Sequence, residues 1–159
     1  MNPETDPLRI FKVTHRIYGI LFFTMIFFLV AASLFVSNLG PLLKADPGLI
    51  HILKYIAIGV TIVIIPIAYS YPQKLINRIN PELAFHEKMQ EYQRALFIRF
   101  ALVEGTALMV SIFFILSGDT NLMMVLAIIL LFYILSRPTP FKAATDLGLT
   151  DDEKAQLMK

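Results

Sequence analysis

The chain has no cysteine among its 159 residues, which excludes disulfides, thiolate metal sites and thiol nucleophiles and leaves the redox compartment open. Charge is scarce as well. Asp, Glu, Lys and Arg make up 16% of the residues, against roughly a quarter in soluble domains. The three histidines, His15, His51 and His86, share no metal-ligand spacing with one another. Glu82 and His86, at i and i+4, read as a solvated helix pair. No H-E-x-x-H, G-x-S-x-G, Walker or G-x-G-x-x-G pattern occurs, and no two histidines are placed like haem ligands. Nor does an aspartate pair or a Ser/His set fall at membrane depth. The expectation is a protein that is not an enzyme, with no metal, no cofactor and no nucleic-acid partner.

What is abundant is apolar sequence, 57% of the chain. A helix needs about 20 residues to cross a hydrocarbon core ~30 Å thick. Four segments offer this: Ile17 to Val36, Ile50 to Tyr69, Leu96 to Leu116 and Leu122 to Leu135. The fourth is the shortest and must borrow Thr120, Asn121 and Ser136 or sit in thinned bilayer. The first is a full span with Ala31, Ala32 and Ser33 inside it, so no cleavable signal peptide is expected. The expected fold is all-α: an integral membrane four-helix bundle over 1–136, with 137–159 as a cytoplasmic tail.

Charge distribution sets an expected orientation. Arg9, Lys12 and Arg16 precede the first span; Lys74, Arg78, Lys88, Arg94 and Arg99 lie between the second and third; Arg137, Lys142, Lys154 and Lys159 follow the fourth. By the positive-inside rule, both termini and the central loop face the cytoplasm. Asp46 before Pro47 suits a cap with a first-turn proline, and Gly118 then Asp119 suits a stop followed by a new start. Lys54 and His51, near the outer edge of the second span, read as interfacial anchors.

In NPELAFHEKMQEYQRALFIRF, Asn80 suits a cap, Pro81 the first helical position and Glu82 the positive end of the dipole. One continuous helix is expected from about Pro81 to Leu116, with 81–95 as a cytoplasmic extension. On it Phe85, Met89, Tyr92 and Leu96 form an apolar stripe that needs a partner. Either the tail folds back on it through Phe141, Leu147 and Leu149, or a second protein docks on Phe85, Met89 and Tyr92. Pro138 and Pro140 end the fourth helix, and Thr150 with Glu153 is a capping-box pattern starting a short last helix.

Two residues break the rules of the spans. Glu104, in RFALVEGTAL, is a carboxylate at membrane depth, so it must face the bundle, find a partner or take up a proton. Ala101, Ala107, Leu108 and Ser111 lie nearest its side, and Ala101 with Gly105 makes a small-x-x-x-small step. Arg99 is about 140° away around the helix at ~100° per residue, which makes an intrahelical pair poor, and it is expected to snorkel to the headgroups. Thr24 is offered as a contact at comparable depth, with Tyr18, Arg16, His15 and Tyr69 nearer the edge. Glu104, Thr24 and Ser111 thus form the candidate proton or hydrogen-bond site. Pro66 cannot donate to the Ile62 carbonyl and should kink the second span.

The E-G pair of the third span, Glu104 and Gly105, together with R-P-T after the fourth, Arg137, Pro138 and Thr139, resembles small uncharacterised four-span proteins of bacterial inner membranes. The resemblance covers the second half of the chain and implies a location, not a mechanism. A single membrane glutamate is also similar to that of rotary-ATPase proteolipids and small multidrug exporters. The first are richer in glycine and alanine, and the second carry their glutamate in the first span. The leading expectation is a non-catalytic accessory or assembly subunit of a larger membrane complex, or a homo-oligomer, whose partners are the lipid bilayer and another membrane protein or itself. The alternative is a small proton-coupled carrier in which Glu104 titrates and Pro66 lets a helix rock.

Overall fold

A computed structural model describes residues 6–43 and 47–158. Among them the chain is all-helical, with six helices: α1 (Pro7–Leu39), α2 (Pro47–Ile76), α3 (Phe85–Ser117), α4 (Asn121–Leu135), α5 (Pro140–Asp146) and α6 (Asp151–Leu157). Asp46 and Lys44 lie outside the described residues, so the proposed cap before Pro47 does too.

Local chemistry sets most helix ends. Asp6 accepts from the Leu8 amide at 3.0 Å with Pro7 behind it, a side-chain cap followed by a proline that lacks a donor to strand. Thr139 accepts from the Lys142 amide at 3.2 Å ahead of Pro140. Thr150 and Glu153 form the reciprocal capping box, with the Thr150 amide donating to Glu153 at 2.8 Å.

α3 starts later than expected. Asn80 does not cap a helix; its side chain accepts from the Glu82 amide at 2.9 Å and its carbonyl from the Leu83 amide at 3.3 Å. The result is a closed turn through Pro81, a use that asparagine side chains serve as readily as a cap. Glu87, three residues into the chain beyond Ala84, then accepts from the Ala84 amide at 3.1 Å and opens the helix. α3 is 33 residues long, about 50 Å at ~1.5 Å per residue.

α3 is the centre of the molecule. α1 and α2 flank it, α4 packs on it between them, and α1 and α2 have no comparable contact with each other. Phe100, Val103, Val110 and Phe114 on its inner face are buried. Ala101, Gly105 and Ile112, on the opposite face, are exposed. At the far end the α1–α2 loop crosses over the C-terminus of α3. The Leu42 and Leu43 amides donate to the carbonyls of Ile115 and Leu116 at 3.1 and 2.9 Å, satisfying acceptors that a helix end leaves open.

α2 runs unbroken through two prolines, Pro66 and Pro72. Pro66 is exposed, while Pro72, two residues after Ser70, is buried. α4 stops at Leu135, ahead of Pro138, and α5 leaves it at 74°. The tail then folds back onto the bundle: Ala143, Ala144, Leu147, Leu149 and Leu157 are buried in the same apolar cluster as Met89 and Tyr92. Phe141 takes no part and is 74% exposed, because its place on the first turn of α5 turns it away from the bundle.

Candidate functional site

Glu104 sits half-buried on α3, at the border between the inner face and the open face. Among the described residues no hydrogen bond or ion pair reaches its carboxylate. Its electrostatic neighbour is Tyr133 on α4. The structure does not join it to Thr24 or Ser111. The Thr24 hydroxyl donates to the Ile20 carbonyl of its own helix at 3.0 Å, and the Ser111 hydroxyl donates to Ala107 at 2.8 Å. Both hydroxyls are used up one turn back, a common fate of serine and threonine inside helices.

One turn toward the basic end lies a layer of tyrosines. Tyr18 of α1 and Tyr133 of α4 stack with ring centroids 4.7 Å apart, and Phe22 and Phe100 close around them. Tyr69 of α2 donates to the Phe132 carbonyl at 2.5 Å and also meets the Ser136 hydroxyl in a short contact. These bonds tie α4 to α1 on one side and to α2 on the other.

Arg99 corrects the snorkelling expectation. It is 1% exposed, turned toward α2. Its guanidinium lies 5.2 Å from the centre of the Tyr69 ring, donates to Gln73 at 3.3 Å, and is in electrostatic reach of Tyr92 and of Asp146 from the tail. An aromatic face and an amide on α2 replace the headgroups, and packing of α2 over that side of α3 closes the route outward. Arg99 Nε, the Tyr92 hydroxyl and Asp146 Oδ2 are all buried without a hydrogen-bond partner at good geometry.

The stripe offered to a partner is occupied from within the chain. Met89 and Tyr92 are each 1% exposed and Phe85 is half-buried. Lys88, beside them, pairs with Glu153 of α6 at 3.6 Å. Burial opposes ionisation of Glu153, yet hydrogen bonds from Thr150 and the charge of Lys88 outweigh it and hold the carboxyl below its ordinary value.

At the opposite end Lys54 pairs with Asp119 at 3.2 Å instead of reaching the interface alone. Burial works against the Asp119 charge, but hydrogen bonds from Asn121 and Lys54 prevail and lower its pKa. The pair ties the start of α2 to the α3–α4 turn. Periodicity could have flagged Tyr133, a lone hydroxyl in an apolar span. No local signal announces Gln73 or Asp146, because both acquire their roles from distant segments.

Three helices, α1, α2 and α3, are long and apolar enough to cross a membrane, and a fourth span results if α4 and α5 count as one bent segment. Such a fold suits a multi-pass helical membrane protein. No protein-family model matches the chain, and no curated protein or solved structure matches it either.

Proposed function

We propose that the chain is a non-catalytic, four-span protein of the bacterial inner (cytoplasmic) membrane, with both termini in the cytoplasm, that works by association. It serves as an accessory or assembly subunit of a larger membrane complex, or assembles with itself. The observation that carries this reading is the open face of α3. Ala101 and Gly105 are exposed where α1 and α2 do not close on one another, and at its edge stands Glu104 with no hydrogen-bond or ion-pair partner among the described residues.

Small residues let a second helix approach closely, and a donor brought to a carboxylate inside the bilayer adds about 1–2 kcal/mol. The face that associates is thus the membrane-embedded side of α3, since the Met89 and Tyr92 stripe is already covered.

A photo-crosslinker at Ile112, compared with one at Phe23 on the outer side of α1, tests the proposal in native membranes. Protein adducts from Ile112 and lipid adducts from Phe23 are expected; lipid adducts alone from both positions refute it. Glu104→Gln separates the carrier alternative. Glutamine still hydrogen-bonds, so an associating protein keeps its assembly, whereas a proton carrier stops with its fold intact.

A further inference from the structure

At the basic end, a cleft of about 430 Å³ opens between the first turns of α1 and the tail. Phe11, Lys12, His15 and Arg16 form one wall, and Leu157 with Met158 faces them. Lys12 and Arg16 are exposed, one turn apart on the same side of α1, and among the described residues neither has an acidic partner. Asp6, the nearest acid in sequence, caps α1 at the Leu8 amide, 3.0 Å away, and lines an adjoining hollow with Arg9, Lys12 and Arg16, where one carboxylate stands against three cations. The His15 ring is held at the Pro138 carbonyl, 3.4 Å away, which ties α1 to the link between α4 and α5.

Depth is the second observation. The apolar run of α1 begins at Ile17, so Arg16 stands at the hydrocarbon edge and Lys12 about 6 Å beyond it at ~1.5 Å per residue. That is the level of lipid phosphates. Below the two cations, the same side of α1 continues as Ile20, Phe23 and Phe27, exposed by 63, 71 and 68%. A cationic pair thus sits directly above an uncovered apolar track, with a cleft beside it.

We propose that this is a binding site for an anionic phospholipid. Its phosphate lies between Lys12 and Arg16, its headgroup enters the cleft beside His15 and Leu157, and its acyl chains run down Ile20, Phe23 and Phe27. The chemistry recognised is a phosphodiester carrying net negative charge; a zwitterionic lipid brings its own cation to the site and gains less. The inference rests on α1 crossing the bilayer.

The test uses the full chain, incorporated into phosphatidylcholine nanodiscs and then analysed by native mass spectrometry after adding dioleoyl phosphatidylglycerol. The protein is expected to retain phosphatidylglycerol over phosphatidylcholine, and Lys12→Gln/Arg16→Gln to lower that retention about tenfold. Lys74→Gln/Arg78→Gln, which removes the same charge from the same end away from the cleft, should leave it unchanged. Equal loss in both double variants, equal retention of the two lipids, or displacement of the lipid by excess inorganic phosphate overturns the site. Failure of the protein to enter nanodiscs overturns the membrane-spanning reading itself.

Discussion

The Tyr18 hydroxyl donates to the backbone carbonyl of Tyr133, and the Tyr133 hydroxyl donates to the carbonyl of Tyr18, both at 3.1 Å. With the rings stacked between them, the pair fixes α1 against α4, helices that otherwise touch little. Each accepting carbonyl belongs to a helix, so losing one hydroxyl strands no group. Tyr18→Phe and Tyr133→Phe are therefore each expected to cost about 1 kcal/mol or less. Tyr133→Ala removes a fully buried ring and should cost about 3–5 kcal/mol. Thermal unfolding in detergent followed by circular dichroism measures both, and a Phe variant as damaging as the Ala variant would show that the hydroxyls, not the rings, hold the helices.

Arg99 and Gln73 share one hydrogen bond, yet the two residues should not be equivalent. Arg99→Met leaves the Asp146 carboxylate, whose Oδ2 is buried, without the positive charge in its reach, and should cost about 3 kcal/mol or more. Gln73→Leu leaves the guanidinium buried with the Tyr69 ring and that carboxylate, and should cost about 1–3 kcal/mol. Arg99→Met combined with Asp146→Asn removes both charges and should recover most of the Arg99→Met loss. If Arg99→Met alone is instead neutral, the guanidinium is a tolerated charge and not the partner of Asp146.

Docking of the tail should depend on pH. The folded-state pKa of Glu153 lies below its ordinary value, so its contribution is complete above that ordinary value, ~4.3, and is lost as pH falls through the lowered one. Amide exchange in α6 should rise as pH is taken below about 4, after correction for the intrinsic exchange rate. Glu153→Gln keeps the cap, since an amide oxygen still accepts from the Thr150 N–H, but removes the charge that the buried Lys88 faces; it should raise exchange already at neutral pH and should flatten the pH response. An unchanged response in that variant would assign the effect to another carboxylate.

How much of this fold was legible depended on how local each cause was. Thr150 and Glu153 announce α6 because a capping box is complete within four residues. Pro138 announces the end of α4 for the same reason. Asn80 misleads, since the same side chain serves a cap and a closed turn, and the choice falls to the glutamate at position 87. Periodicity made Met89 and Tyr92 a stripe needing cover and named Leu147 and Leu149 among the covering residues. It could not show that Arg99 turns inward, because the Tyr69 ring and Gln73 that receive it come from another helix. Tyr133 stands out as a lone hydroxyl in an apolar span, but nothing in either segment pairs it with Tyr18, 115 positions away.

Gly118 shows how a single backbone position organises the end opposite the tail. It ends α3 at φ 65°, and a Cβ there would stand 3.2 Å from Cβ of Pro41, in the loop whose Leu42 and Leu43 amides close the α3 carbonyls. Gly40 has open space around it, but at φ 78° and ψ 173° it lies in a region that side chains hardly enter. Gly40→Ala should therefore carry backbone strain alone, about 1–3 kcal/mol. Gly118→Ala meets left-handed strain of about 1–2 kcal/mol and adds the displacement of Pro41, which is a ring and cannot swing aside, so the loop must lift from the helix end. It is expected to speed amide exchange at Leu42 and Leu43, which Gly40→Ala should leave slow. Unchanged exchange in Gly118→Ala would mean that Pro41 yields freely and that the loop is held by its hydrogen bonds alone.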